Sequence, residues 1–280
     1  MKSSLFWVFL VAFVAVCLQG VDQAPAQSIF LEPNNMGSVH LEALRPGFGG
    51  VNLSNLSFAL FLSGRFQVGE ALQIRGEIPY MTYKVDPTDH YWGQSSGSEG
   101  KNAIGNPYVG LDVGSSQKGT QGEFGFRLPV VKDTSGAERE GSATDPVERM
   151  EAFIPEILPL YLGVNYRHRS SNGFALRLRL VPVFWFYVGS GSQDTDLFFL
   201  YSAQAWYETE KVGVGGGFSG RAIATGDEDG FGERSLHQFG FFANYAFGSF
   251  LPGFQIRIPL DQDLRDYLVP AYSISVGVKL

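Results

Sequence analysis

The chain has 280 residues and a formal net charge of −7. Only 18% of its residues are charged, against 35 glycines, 24 phenylalanines and 12 tyrosines, an unusual balance for a soluble enzyme. Nothing in it points to nucleic acid, and beyond the N-terminus no apolar run approaches the ~20 residues that a membrane helix needs. Apolar residues are spread through short segments instead, which leaves two candidates, a soluble β-sandwich or a membrane β-barrel.

The N-terminus comes first. Lys2 precedes an apolar run from Leu5 to Leu18, and a polar stretch then ends in Ala24-Pro25-Ala26. A basic start, a short apolar centre and a small-x-small site describe a secretory signal peptide over residues 1–26, with an earlier cut after Gly20 also compatible. The only cysteine, Cys17, lies in this segment. Val16 is not the small residue that lipoprotein processing wants before the cysteine, so the lipidated reading is the weaker one. The exported chain, 27–280, then has no thiol and forms no disulfide.

Strict period-two alternation follows in one segment after another, the mark of a strand with two unlike faces. A first strand starts near Ser38. Apolar rows then run through Leu56, Phe58, Leu60 and Leu62, through Leu72, Ile74 and Ile78, through Val109, Leu111 and Val113, and through Phe124, Phe126 and Leu128. The next rows are Leu160 to Tyr166, Phe174 to Leu180, Leu197 to Tyr207, and Val212 to Phe218 interleaved with glycines. Phe239 to Phe247 and Phe254 to Ile258 lead to the cleanest, Tyr272 to Leu280, where every even position is apolar. Links near 67–69, 115–120, 170–172, 208–210 and 248–250 are short, whereas 81–104, 131–158 and 225–234 are long. Short turns alternating with long loops belong to a membrane barrel, with apolar residues toward lipid and polar ones toward the lumen. The expectation is an all-β protein: a single transmembrane antiparallel up-and-down barrel of about twelve strands in the outer membrane of a Gram-negative bacterium. The last strand runs to the chain end, as the segments used by the barrel-insertion machinery do, with Leu280 in place of the usual Phe.

Five alternate strands share a rim pattern. Glu77-Ile78-Pro79, Arg127-Leu128-Pro129 and Arg257-Ile258-Pro259 repeat a charge, an aliphatic and a proline; Arg179-Leu180-Val181-Pro182 and Arg221-Ala222-Ile223 are variants. Proline lacks a ladder donor, so it is expected to end each strand. By parity the charged residues face the lumen. The full lumen set is Arg65, Arg75, Arg127, Arg167, Arg177, Arg179, Arg221, Arg257 and Lys279 against Glu77, Asp112, Glu123 and Glu208. One reading makes them solvated strand ends; the other makes a mostly basic constriction that favours anionic or electron-rich solutes. The remaining acids, such as Glu138, Glu140, Asp145, Glu148 and Asp227 to Asp229, are then expected in solvated outer loops, where they could bridge divalent cations to lipopolysaccharide.

Catalytic chemistry has one candidate. His168-Arg169-Ser170-Ser171-Asn172-Gly173 resembles the His-x-Ser-Asn-Gly stretch of outer-membrane phospholipase A and the similar stretch of lipid A deacylases. That resemblance would make His168 the base and Ser170 the nucleophile. An extra serine interrupts the pattern, no downstream Trp-Asn-Arg follows, and Asn-Gly between alternating strands is a hairpin signal. Asp86, Asp89 and His90 fit no specific metal spacing, and Gly213 to Gly217 follow no phosphate-loop pattern. No cofactor or metal is expected.

Gly76-Glu77-Ile78-Pro79-Tyr80, Ile104-Gly105-Asn106-Pro107-Tyr108-Val109-Gly110-Leu111, Phe124-Gly125-Phe126-Arg127-Leu128-Pro129 and Pro252 to Leu260 together resemble the outer-membrane barrel family named for a phenol-degradation pathway. The resemblance spans most of the exported chain and implies transport of small, aromatic compounds. The leading expectation is therefore a non-enzymatic channel for passive passage of small organic, aromatic or anionic solutes. A lipid-hydrolysing barrel using His168 and Ser170, or a structural barrel with a filled lumen, are the alternatives. Expected partners are the solute, outer-membrane lipids and lipopolysaccharide, and the insertion machinery.

Overall fold

The computed structural model describes residues 37–45, 58–84, 100–114, 119–132, 141–189, 194–225 and 233–280. The leader, the Asp86, Asp89 and His90 loop, Glu138, Glu140 and the run Asp227 to Asp229 lie outside them. The strands are β1 (Ser38–Arg45), β2 (Phe58–Gln67), β3 (Leu72–Lys84), β4 (Gly100–Ile104), β5 (Tyr108–Gly114), β6 (Gly119–Arg127) and β7 (Ile157–Arg169). They continue as β8 (Phe174–Tyr187), β9 (Asp196–Glu208), β10 (Val212–Ile223), β11 (Ser235–Tyr245), β12 (Phe250–Pro259) and β13 (Ala271–Lys279). Neighbouring wall strands pair antiparallel, and β1 pairs with β13 from Ser38↔Lys279 to Arg45↔Tyr272, so the sheet is a closed barrel.

Twelve wall positions hold thirteen strands because one position is split. β4 pairs with Tyr80–Lys84 and β5 with Leu72–Glu77 of the same strand β3, separated by Gly105-Asn106-Pro107. The long loop expected over 81–104 is thus shorter: β3 runs on to Lys84 and β4 returns along it. Proline also behaves less simply than expected. Pro259 closes β12 and Pro129 follows β6, but Pro79 and Pro182 sit inside β3 and β8. Opposite Pro182 the β7–β8 ladder passes from Tyr161↔Val183 to Val164↔Leu180 without the pairs between, the local result of a missing donor.

Outside, the alternating apolar residues are exposed: Leu62, Ile78, Val109, Leu162, Val164, Leu178, Leu180, Phe254 and Ile274 among others. Such a belt is unfavourable in water and favourable in lipid, since burying apolar surface is worth about 25 cal/mol per Å². Phe66, Tyr166, Phe174, Tyr207, Tyr245 and Phe250 stand outward beside the short turns, the place of an interfacial aromatic girdle. A closed wall with this surface is an outer-membrane barrel, and the bacterial outer membrane is its location.

Inside, one aromatic ring lies directly against the wall. Tyr108 lays its ring across Gly110 and Gly125, where a side chain on either glycine would collide with it. Gly125→Val is therefore expected to lower the yield of folded barrel sharply, read as loss of the heat-modifiable band in gel electrophoresis.

Candidate functional site

The side chains that alternation assigns to the lumen are buried inside the wall. Arg65, Arg75, Glu77, Asp112, Glu123, Arg127, Arg167, Arg177, Arg179, Arg221 and Arg257 are each at most 8% exposed. They do not face an open bore throughout. In the connection between β6 and β7, residues 141–156 lie inside the wall and occupy the lumen at the long-loop end as a helical turn at 141–144 and a 3₁₀ turn, Met150–Ala152. This corrects the expectation that Asp145 and Glu148 are solvated loop acids: both are buried.

The rim repeat is what holds this segment. Arg221 grips Glu151 with two parallel bonds, Nη1 to Oε1 at 2.7 Å and Nη2 to Oε2 at 2.8 Å, and its Nε donates to the Val147 carbonyl at 3.1 Å. Trp185 Nε1 donates to the same Glu151 Oε1 at 3.0 Å. Arg257 bonds Asp145 and Glu42, each at 2.9 Å. Arg179 lies 3.5 Å from Glu148 and forks onto Glu123 at 2.7 and 2.9 Å. Glu77 takes Arg127 at 2.7 Å and faces Arg149 of the segment at 3.5 Å, while Arg149 also bonds Glu42 at 2.8 Å and Asp145 at 2.9 Å. Most of these charges have a geometrically matched partner, the condition under which charges can be taken out of water, and Glu148 is the one held at longer range.

A second anchorage is apolar and backbone-directed. Asn106, fully buried at the break between β4 and β5, donates from Nδ2 to the carbonyls of Glu151 at 3.0 Å and Ile154 at 2.7 Å. Its Oδ1 accepts from the backbone N–H groups of Val130 at 2.9 Å and Val131 at 3.0 Å. Ala152 and Phe153 join Leu44, Ala59, Phe61, Met81, Ala103 and Ala271 in one cluster. Met150 and Ile154 pack against Tyr108, Ile157, Tyr161, Val183 and Trp185 in another. Gly105 is required here, since a Cβ would strike the Ala152 carbonyl.

Electrostatics within the segment follow from these partners. Burial alone would raise the Asp145 carboxyl, but Arg257 and Arg149 outweigh it and hold it below its ordinary value; Arg221 does the same for Glu151. Burial pushes Glu148 up, with Asp145 adding to the rise against Arg179. A lowered carboxyl stabilises the attached form above its free pKa and loses that contribution as pH falls through the lowered value. The segment is therefore expected to stay seated through mildly acidic pH and to loosen only below the ordinary carboxylate range, measured as protease sensitivity of 141–156 across a pH series.

Toward the short-turn end the lumen is more basic. Across β2–β3 Arg65 stands opposite Arg75, and across β7–β8 Arg167 stands opposite Arg177. Arg75 reaches Asp112 at 2.8 Å and Glu123 at 3.1 Å, and Arg177 donates to Asn165 Oδ1 at 2.9 and 2.7 Å. Lys279 is buried beside them, and Glu208 pairs with Arg169 at 2.5 Å.

The catalytic candidate falls on the short-turn side. Ser170 opens a tight turn, closed by its N–H to the Phe174 carbonyl at 2.8 Å with Gly173 at φ +91°. Its Oγ turns to Asn172 rather than to His168. Among the described residues no group of three or more His, Cys, Asp or Glu converges as a metal site would.

The class of protein this fold defines is the outer-membrane β-barrel. No protein-family model matches the chain, and no curated protein matches it. Among solved structures it resembles an outer membrane channel from Pseudomonas putida F1, with a TM-score of 0.58 at 9% identity over 92% of this chain and 100% of that one. It also resembles the NanC porin, with a TM-score of 0.54 at 10% identity, covering 87% of this chain and 100% of the porin. The translocator domain of autotransporter NalP from Neisseria meningitidis gives 0.51 at 12% identity, over 100% of this chain and 96% of the domain. The likeness is one of fold, and channels and a porin are among the barrels that share it.

Proposed function

We propose that this barrel is a gated channel for passive passage of small anionic organic solutes, carrying out no catalytic step. The observation that carries the reading is the pair of arginine–arginine oppositions on the lumen face, Arg65↔Arg75 and Arg167↔Arg177. Like charges directly across a ladder destabilise a sheet, so their occurrence at two separate places around the barrel fits a lumen that accommodates negative charge. The family resemblance carried by motifs such as Ile104 to Leu111 supports aromatic members of that class. On this reading the partners are the solute, lipid and lipopolysaccharide along the apolar belt, and the insertion machinery.

The test is the reversal potential of the purified barrel in a planar bilayer under a salt gradient. Anion preference is expected, and Arg167→Gln with Arg177→Gln should shift it toward cations. An unchanged preference would remove the reading. A permanently filled structural barrel is the second reading, favoured by the burial of segment 141–156; it requires that no variant of that segment conducts. The lipid-hydrolysis alternative predicts that Ser170→Ala abolishes any lipase activity of the purified barrel, whereas an unchanged activity is expected here.

A further inference from the structure

The segment in the lumen is attached by two unlike faces. On the side of β1 to β5 it is fixed by Asn106, by the cluster of Ala152 and Phe153 with Phe61 and Met81, and by Arg149, which pairs with Glu42 and faces Glu77. On the side of β8, β10 and β12 it presents three carboxylates, Glu148, Glu151 and Asp145, to Arg179, Arg221 and Arg257. One face is an anchor built from shape, backbone bonds and a cation of the segment itself. The other is a latch built from carboxylate–guanidinium pairs, and a free carboxylate can form the same pairs.

The latch is also the chemistry of a carboxylate receptor. Arg221 offers the two-bond fork that recognises a planar carboxylate, and it lies 5.9 Å from the Trp185 ring and 5.5 Å from the Phe198 ring, which lie 4.3 Å from each other. An indole N–H joins the fork from the side. A second arginine, Arg257, carries Asp145, and at the third the fit is poorer: the buried Glu148 Oε2 stands 3.5 Å from Arg179 and accepts no hydrogen bond. Taken without the segment, the wall around these positions would hold arginines beside aromatic rings.

We propose that segment 141–156 is a resident competitor, its carboxylates standing in for those of a solute with an apolar or aromatic body and two or more carboxylates, which opens the passage by displacing them from Arg179, Arg221 and Arg257. The anchor at Asn106 keeps the displaced segment in place to reseat once the solute has passed. This rests on the channel reading above and adds to it the class of solute and the means of opening. Exchange of one set of carboxylates for another leaves the three wall guanidinium groups paired, so the charges to be taken up by water on opening are those of the displaced segment.

The experiment uses the full barrel in planar bilayers with phthalate and citrate as probes, and acetate and glycerol as controls. In the native barrel the two polycarboxylates are expected to raise conductance severalfold in a saturable way, and acetate and glycerol to leave it unchanged. The variant D145N/E148Q/E151Q, which keeps the shapes and removes the charges, should stand open without a probe, be more anion-selective, and ignore phthalate. Heat-modifiable gel mobility reports whether it has folded. A native conductance that phthalate does not raise, or an anion-selective current that the triple variant leaves unaltered, would overturn the competitor and leave the channel intact. Absence of current in every form, with every probe, would overturn both.

Discussion

Asn106→Ala is expected to free segment 141–156 from the wall and to give the largest loss of order of any single substitution away from the charged belt. Four backbone groups lose their partner at once: the carbonyls of Glu151 and Ile154 and the N–H groups of Val130 and Val131. A buried polar group left unsatisfied costs about 1–3 kcal/mol, so the local loss amounts to several kcal/mol even if water recovers part of it. The outer wall, held by its own ladders, should survive. The check is a paired measurement: limited proteolysis, which should cut within 141–156, and far-UV circular dichroism, which should keep its β signal. A protected segment in the variant would mean that the apolar cluster around Phe153 suffices by itself.

Glu151→Ala should produce an effect of similar size by another route. It strands Arg221, 2% exposed, beside the Trp185 and Phe198 rings without its bidentate partner. Removing one member of a buried pair costs about 3–5 kcal/mol, whereas replacing both by apolar residues of similar volume is often close to neutral. The double substitution Arg221→Met with Glu151→Met is accordingly expected to recover most of the thermal stability that Glu151→Ala loses. Conductance separates the two further, because the single variant loosens the segment and the double one keeps it seated. If single and double variants melt alike, the pair contributes through shape and not through charge.

The wall was legible in the sequence because lipid and lumen impose opposite polarities at period two, and Leu160 to Tyr166 or Phe254 to Ile258 carry that signal residue by residue. The charged rim was legible for the same reason, with Arg127, Arg179, Arg221 and Arg257 on one parity. The counter-charges brought by the inward segment were not. Asp145, Glu148 and Glu151 lie, with Arg149, in a connection with no strand period, where a run of charges ordinarily means solvent. Two signals nevertheless pointed inward. Val147, Met150 and Ile154 place apolar residues at helical spacing among those charges, and a wall carrying more arginines than acids needs carboxylates from elsewhere. The split wall position was hidden for a different reason: β4 is five residues long and its partner strand β3 runs through a proline.

The register of β1 against β13 also bears on how the molecule is assembled. Glu42, on the first strand, shares Arg149 with Asp145, and Arg257, on the next-to-last strand, joins Glu42 across 215 positions of chain. Bringing such distant positions together carries a large loop-closure entropy. The four-membered cluster of Glu42, Arg149, Asp145 and Arg257 is complete only when the first and last strands have met and the segment is seated. Sealing of the wall and seating of its contents therefore stabilise each other, and a chain that seals empty leaves Arg257 and Glu42 without Asp145 and Arg149.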